Sequence, residues 1–361
     1  MMGCTVRVFD GYRLQRVSVP SARRGLLFRL VAALLALAVA AAVLFARGYD
    51  PVAMGRDAIA DTFGSTIGLQ DLATLVSPLI MTGLAVTIGK RVNLWNIGGE
   101  GQFYMGAWAA TGVGIFAHGP APLILPLMAV AGAAAGMAWI AVPAYARSRA
   151  HVDEVITTLL LNFIAVLVVG YFATGPWRDP GQTISASSRP IPYALPTLFG
   201  GVNIGILIAL ALTATCWLLF TRTVWGFEAR YVGANADSAR YAGIPAARRV
   251  MVTLLLSGAI AGIAGALEVS GTVSRLQVGI SSQFGYIGVV VAALAGSSFF
   301  GVVLSALLMA VLINAGIILE TQGLSLNAIA AFTGWLLLLI GIAGVATGYR
   351  LVRIPPVRVE Q

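Results

Sequence analysis

Charged side chains are scarce in this sequence. Asp, Glu, Lys and Arg make up only 10% of its 361 residues, against about 25% in an ordinary soluble domain. Hydrophobic residues make up 58%. A bilayer core about 30 Å thick needs about 20 apolar residues per spanning helix, and such stretches follow one another along almost the whole chain. This balance excludes a water-soluble fold, so we expect an integral membrane protein.

Residues that build catalytic and metal sites are equally rare. The chain has 2 Cys and 2 His, and neither His118 nor His151 has a Cys, Ser or carboxylate at metal-ligand or triad spacing. The sequence has no Gly-x-x-x-x-Gly-Lys-Ser/Thr phosphate-binding loop. We therefore expect no catalytic residue, no metal and no cofactor bound by this chain. If transport consumes ATP and Mg²⁺, a separate polypeptide must hydrolyse the nucleotide.

Ionisable residues are almost missing from the centres of the apolar stretches. Carriers coupled to protons or sodium usually need such residues at mid-membrane depth. Their scarcity argues against an ion-coupled carrier and for an energy source outside the membrane. The net charge of +9 would suggest nucleic-acid binding in a soluble protein, but here the Arg residues lie between apolar runs, where they orient helices.

The apolar pattern predicts an all-α polytopic membrane protein of about ten transmembrane helices. We expect a basic N-terminal segment at 1–26, a transmembrane domain at 27–347 and a tail at 348–361. The first span resembles a secretory signal peptide, but its length and the spans that follow favour an uncleaved helix. The predicted spans are 27–46, 72–89, 94–117, 121–143, 155–174, 201–220, 250–269, 284–298, 301–319 and 326–347.

The basic residues predict the orientation of these spans. With both termini in the cytoplasm, most of the 23 Lys and Arg residues lie in cytoplasmic segments, as the positive-inside rule expects. Only Arg47, Arg56, Arg178, Arg189 and Arg275 fall outside.

Two connections are long. The outer one, about 175–200, contains five prolines, which predicts an extended or turn-rich cap with little helix. The inner one is 221–249. In it, Ala236–Tyr241 has helical composition, Gly243 can end that helix and Pro245 can open the next.

Polar and aromatic residues in or beside the spans are the candidates for a solute pathway. The segment 93–104 is rich in glycine, and backbone groups freed there can line a polar cavity; the alternative is helix-packing glycines and interhelical hydrogen bonds. Aromatic rings can stack a base, while amides can bond hydroxyls. The pathway candidates are Trp95, Asn96, Glu100, Gln102, Phe103, Asn162, Phe163 and Gln283.

Other polar residues have simpler interpretations. Asp153 and Glu154 are explained by the dipole at a helix N-terminus. Glu268 and Arg275 flank the outer end of the seventh span and can pair with each other. The segments Gly98–Gly106 and Gly279–Gly288 both place Gln-Phe near Tyr and Gly, an echo that inverted repeats of a transporter would produce and that chance also allows.

Three segments together resemble a known family. VNLWNIGGEGQFYMGAWAATG (Val92–Gly112), DEVITTLLLNFIA (Asp153–Ala165) and GFEARYVGANADSARYAGI (Gly226–Ile244) are similar to permeases of the branched-chain amino-acid and simple-sugar group of bacterial ABC importers, closest to the nucleoside and simple-sugar branch. The likeness runs from about residue 70 to 345, and 1–26 lies outside it. The family often has Gly and Pro between the eighth and ninth spans, whereas this chain has no Pro there.

The resemblance implies a fold similar to the vitamin B12 type of importer membrane domain. It also implies partners: ATP-binding cassette ATPase subunits that use ATP and Mg²⁺, a second like or unlike permease, a soluble or lipid-anchored binding protein, and the lipid of a bacterial inner membrane. The long inner loop would dock in the ATPase, with Ala236–Gly243 as a coupling helix. The coupling residues implied are Gly226, Glu228, Gly233, Asn235, Ala239, Tyr241, Gly243 and Ile244.

We therefore expect a non-enzymatic transport subunit. The favoured solutes are nucleosides, with simple sugars such as pentoses or hexoses as the alternative. Rival hypotheses are an ion-coupled secondary carrier and, because no catalytic set is present, a still less favoured membrane-embedded enzyme.

Overall fold

A computed structural model describes residues 6–9, 12–16, 22–150, 152–181, 187–198, 201–296, 298–346 and 348–353. Helices dominate these residues, and the all-helical transmembrane architecture predicted from the sequence is confirmed at this level. The elements are β1 (Val6–Phe9), β2 (Tyr12–Arg16), α1 (Ala22–Ala46), α2 (Pro51–Gly64), α3 (Thr66–Lys90), α4 (Gly99–Phe116), α5 (Ala121–Ala150), α6 (Glu154–Thr174), α7 (Gly205–Arg222), α8 (Val224–Ala234), α9 (Ala236–Tyr241), α10 (Ala246–Glu268), a π-helix (Val269–Val273), α11 (Phe284–Ala295), α12 (Phe299–Thr321), α13 (Leu326–Ala346) and β3 (Tyr349–Arg353).

Each of the ten predicted spans overlaps a helix. Six helices are long and apolar enough to cross a membrane. A seventh span is possible if the second half of α1 and the whole of α2 cross together, although the two are bent by 118° relative to each other. These figures apply to the described residues and establish a multi-pass helical protein. The count of ten spans stays a prediction.

Helix α11 is shorter than predicted. Its 12 residues extend only about 18 Å at 1.5 Å per residue, which is less than the hydrocarbon thickness of a bilayer. The helix ends at Gly296, whose φ is +66°, a conformation that glycine adopts without a steric penalty. After the turn, the Ser298 hydroxyl accepts a hydrogen bond from the Gly301 N–H at 3.0 Å, so Ser298 caps α12 without any proline.

The chain divides into two compact units. One comprises 1–60 and 315–361, and the other 61–314. In the first unit α1 packs along α13, and the three strands form an antiparallel sheet in the order β1-β2-β3. This sheet corrects the all-α prediction for the terminal segments. Its strands are only four or five residues long, and β2 pairs with a strand from the other end of the chain, which local sequence patterns cannot reveal.

In the second unit α3 is enclosed by other helices. Every residue from Val76 to Gly89 is buried, because α10, α11 and α7 all pack against it. A helix that is hydrophobic all round is expected to be enclosed in this way.

Glycines allow α4, α5 and α10 to approach closely. A Cβ on Gly262 of α10 would overlap the carbonyl oxygen of Gly132 on α5, and a Cβ on Gly106 of α4 would overlap the carbonyl oxygen of Gly262. In lipid no hydrophobic force drives helices together. Small residues at such contacts let the backbones approach closely enough for van der Waals packing to hold the helices.

Replacing Gly262 with Ala is expected to destabilise this three-helix contact by about 1–3 kcal/mol, because the added methyl must push two backbones apart. The matched control is Gly334→Ala on α13, where a Cβ meets nothing within 4 Å and helix propensity favours Ala. The thermal midpoints of the two detergent-solubilised variants measure the difference. Equal midpoints would contradict the packing argument.

The proline-rich outer connection is extended, as predicted. Its described parts, 175–181 and 187–198, contain no helix. Backbone N–H groups of Leu195 and Ile191 donate to the carbonyls of Ser270 and Ser274, at 2.8 and 2.9 Å. The connection therefore covers the end of α10, where the π-helix leaves carbonyls without helical partners.

Candidate functional site

The chain between α3 and α4 is not helical, and buried amide side chains hold it in place. Asn93 in this segment has a φ of +58°, which Asn tolerates better than most residues. Further on, Asn96 and Gln102 exchange two hydrogen bonds of 2.8 and 2.9 Å between their side-chain amides. The Asn96 amide also donates to the Ser257 hydroxyl at 2.7 Å, and that hydroxyl donates to the carbonyl of Ala85 at 2.6 Å. This network ties the break to α10 and α3.

Asn162 on α6 fixes the start of α4 from the other side. Its side-chain oxygen accepts from the Gly101 N–H at 2.8 Å, and its amide donates to the Ile97 carbonyl at 3.0 Å. A helix N-terminus leaves four N–H groups without intrahelical partners, so Asn162 supplies one of the acceptors that the start of α4 needs.

Glu100 joins the N-termini of α4 and α11. Its carboxylate accepts a 2.7 Å hydrogen bond from the Gly285 N–H, and the Ser281 hydroxyl also bonds to it. A Cβ on Gly285 would overlap the backbone of Glu100, and the Phe103 and Phe284 rings lie 6.0 Å apart. The two segments that echo each other in sequence are therefore in direct contact.

The contact between the N-termini of α4 and α11 lies beside α3, between the two ends of that helix. Gly288 of α11 packs against Thr82, and Gly83 packs against Val291, while Lys90 at the end of α3 donates to the carbonyls of Ala292 and Gly296 at 2.9 Å. Helix α11 thus begins about 18 Å from the end of α3, and α4 begins beside it. Lys90 is a cation at a helix C-terminus, where the dipole favours positive charge.

The eight pathway candidates divide into two groups. Five are at most 4% exposed, and the contacts above satisfy their polar groups; they are Asn96, Glu100, Gln102, Phe103 and Asn162. The other three are exposed: Trp95 at 38%, Phe163 at 65%, and Gln283, which precedes α11 with a φ of +65°. The five buried residues lie close together and hold the non-helical segment between α3 and α4 in its conformation. A role of the eight in the pathway stays a prediction.

The inner connection folds into two helices. Helix α9 spans Ala236–Tyr241, as predicted, although the longer range Ala236–Gly243 assigned to a coupling helix ends two residues too late. The Asn235 side chain caps α9 by accepting from the N–H groups of Asp237 and Ser238 at 3.0 Å. Gly243 follows with a φ of +79°. Helix α8 was not predicted.

One face of this connection packs inside the protein. Ala239 is fully buried in a cluster with Val232 and Ala246, against which Ile244 packs. Glu228 forms an ion pair with Arg249 at the start of α10. A Cβ on Gly226 would overlap the backbone of Leu219 and Phe220, so this glycine permits the turn from α7 into α8.

The other face is open. Tyr241 is 94% exposed, a Cβ on Gly243 would meet nothing within 4 Å, and the Asp237–Arg240 ion pair is exposed. An aromatic ring without internal contacts, held on a short capped helix, is a surface suited to a protein partner.

Gly233 places this connection against the break between α3 and α4. A Cβ on Gly233 would overlap the carbonyl oxygen of Arg91 and lie 3.0 Å from the Cα of Val92. Burial and the nearby charge of Arg230 lower the pKa of the Arg91 guanidinium. The guanidinium lies 4.4 Å from the Phe299 ring centroid, which is within the range of a cation–π contact.

The acidic residues near the span ends differ in part from the prediction. Asp153 caps α6, accepting from the Val155 N–H at 2.8 Å, which agrees with the dipole interpretation. Glu154 does more, because its carboxylate lies 3.3 Å from the Arg147 guanidinium.

The predicted pair of Glu268 and Arg275 is wrong, since Arg275 contacts Asp179 at 3.4 Å. Sequence reasoning also missed the roles of Lys90 and Ser257. A lysine at the end of one helix gives no signal for the distant helix that it caps.

The fold and these contacts define a multi-pass helical membrane protein with a short capped helix, α9, whose outer face is open. The family described as "Branched-chain amino acid transport system / permease component" matches residues 68–342, which is most of the chain. The chain belongs to this family of ABC transporter permeases.

Curated relatives agree with this assignment. The chain is 36% identical to the guanosine ABC transporter permease protein of Bacillus subtilis over 79% of this chain and 83% of that protein. It is 34% identical to the glucose ABC transporter permease protein of Haloferax volcanii over 78% of each. It is 30% identical to the nucleoside ABC transporter permease protein of Lactococcus lactis over 80% of this chain and 83% of that protein. No solved structure gives a significant match.

Proposed function

We propose that this permease carries nucleosides across a bacterial inner membrane. The assignment of nucleosides as the solute rests on two of the three relatives above, which are named for guanosine or nucleosides and are 36% and 30% identical. The relative named for glucose, at 34% identity, supports simple sugars as the second candidate. Both solute classes are hydrophilic and bear hydroxyl groups.

Within this proposal, the pathway candidates have two roles. The exposed Trp95 and Phe163 rings can stack on a base, and the exposed Gln283 amide can bond hydroxyls. The buried amides and Glu100 keep the non-helical break in shape, so that its backbone presents polar groups to the solute. Non-helical backbone at membrane depth is tolerated where it is buried in protein or lines a cavity.

The proposed architecture is ten spans in a fold similar to the vitamin B12 type of importer. Two features support the proposal that both termini lie in the cytoplasm. One is the distribution of basic residues, and the other is the pairing of β2 with β3, which brings the two ends of the chain together.

The proposed partners act from both sides of the membrane. The open face of α9, with Tyr241 at its end, docks in an ATPase subunit that uses ATP and Mg²⁺. A second permease, like or unlike this chain, completes the pathway, and a binding protein delivers the solute from outside. This chain itself binds no cofactor, and lipid surrounds its spans.

Uptake into proteoliposomes tests the proposal. The complete transporter, with permeases, ATPase and binding protein, is reconstituted, and ATP-dependent uptake of labelled guanosine is compared with that of labelled glucose. Uptake of guanosine alone is expected, since two of the three relatives described above are named for guanosine or nucleosides. Uptake of glucose alone would shift the assignment to the second candidate. Accumulation by this chain without an ATPase, driven by an ion gradient, would establish a secondary carrier instead.

A further inference from the structure

Glu268 is a buried carboxylate at the predicted outer end of a membrane-spanning helix. Only 7% of the surface of Glu268 is exposed. The four ion pairs among the described residues involve the carboxylates of Glu154, Asp237, Glu228 and Asp179, so none of them neutralises Glu268. The Thr272 hydroxyl bonds to it. Buried ionisable groups in membrane spans are costly and mark functional positions by default.

The backbone beside Glu268 is irregular. The π-helix Val269–Val273 begins at the next residue, and the Ser274 N–H donates to the Val269 carbonyl at 2.8 Å, five residues back. π-Helices are rare and occur frequently at functional sites. Thr272, one turn after Glu268, lies within this π-helix, and the Gly271 carbonyl accepts from the Asn203 amide at 3.2 Å.

A small cavity opens beside the carboxylate, between α3, the start of α7 and the end of α10. It holds about 10 Å³, room for about one water molecule or one hydroxyl group. Its polar side is unusual for the interior of an apolar bundle. The residues that form this side are Thr74, Ser77, Asn203, Glu268 and Thr272, with Pro78 of α3 beside them.

These groups suit a hydroxyl ligand. A carboxylate accepts hydrogen bonds from hydroxyl groups, and such charge-assisted bonds are about twice as strong as neutral ones. The hydroxyls of Ser77 and Thr272 can both donate and accept. None of the described residues that line the cavity is aromatic or cationic, so a base or an anion fits it poorly.

We propose that this cavity, with Glu268 at its base, is a binding site for a ribose or sugar hydroxyl of the solute on the outer side of the permease. The inference rests on the proposed function, because it takes the solute to be a hydroxyl-bearing molecule. It adds a contact that discriminates hydroxyls before the solute reaches the break between α3 and α4.

Ligand-induced thermal stabilisation of the purified permease–ATPase complex, without the binding protein, tests the site. Uridine in excess is expected to raise the melting midpoint, and 2′,3′-dideoxyuridine at the same concentration is expected to raise it much less, because the stabilisation grows with the ratio of ligand concentration to Kd. Glu268→Ala is expected to weaken uridine binding about tenfold and to remove the difference between the two compounds.

Two further variants make the result interpretable. Thr272→Val keeps the side-chain shape and removes the hydroxyl that bonds to Glu268; it is expected to weaken uridine binding, measured as the shift from this variant's own midpoint without ligand. Asp71→Asn, an exposed acid on α3, is the matched control and should behave as the wild type.

The inference is overturned if the wild type shows no stabilisation by uridine, if it responds equally to both compounds, or if Glu268→Ala keeps the discrimination. ATP-driven uptake by the complete transporter, measured in parallel, separates this failure from that of the proposed function. Nucleoside uptake without a hydroxyl-dependent shift would refute only the cavity. Glucose uptake together with a Glu268-dependent glucose shift would refute the nucleoside assignment and keep the hydroxyl site.

Discussion

Ala239→Arg is expected to reduce ATP-driven uptake to background while the protein still inserts into the membrane. Ala239 is fully buried between α8, α9 and the start of α10, so a long cationic side chain cannot be accommodated without displacing α9. The cluster around Ala239 lies at the start of α10, whereas the glycine contacts between α4, α5 and α10 lie further along, at Gly262. Uptake and membrane-fraction protein levels measure the two effects.

Two companion variants show which face of α9 matters. Ala239→Ser adds one small atom and is expected to retain most uptake. Tyr241→Ala removes a side chain that is 94% exposed, so the permease should keep its thermal midpoint but lose ATPase in co-purification. If Tyr241→Ala binds the ATPase normally and transports at the wild-type rate, the docking role assigned to this face is wrong.

Glu100→Ala is expected to lower the free energy of unfolding by about 2 kcal/mol and to abolish uptake. The substitution removes the acceptor for the Gly285 N–H and leaves a buried donor unsatisfied. Unfolding of the purified permease by a denaturing detergent, with uptake measured in parallel, tests this expectation.

Glu320→Ala is the control for Glu100→Ala, since it removes the same group from an exposed position of α12. It should leave both stability and uptake unchanged. Full stability of Glu100→Ala would mean that the junction of α4 and α11 does not depend on the carboxylate, contrary to the geometry described above.

Features with a local physical cause could be predicted from the sequence. The apolar stretches gave helices because each must satisfy its own backbone hydrogen bonds in lipid. The bounds of α9 followed from Ala236–Tyr241, Gly243 and Pro245 because caps and breakers act within a few residues. The extended outer connection followed from its prolines in the same way.

Features set by distant contacts could not be predicted. Arg275 pairs with Asp179, which lies 96 residues away, and not with the nearer Glu268. Helix α4 starts at Gly99, later than its apolar pattern suggested, because the side-chain amides of Asn96, Gln102 and Asn162 hold the preceding segment. The division of the pathway candidates into buried and exposed groups likewise depends on packing that composition does not encode.

Gly233 has a mechanical consequence. Its α-carbon rests so close to the Arg91 carbonyl that not even a methyl group fits between them, and tightly packed protein interiors are nearly incompressible. If the proposed ATPase pushes on α8, we therefore expect the displacement to pass directly to the residues that follow Lys90. A side chain introduced at Gly233 would push α8 away from the Arg91 carbonyl and change how the two segments are positioned relative to each other.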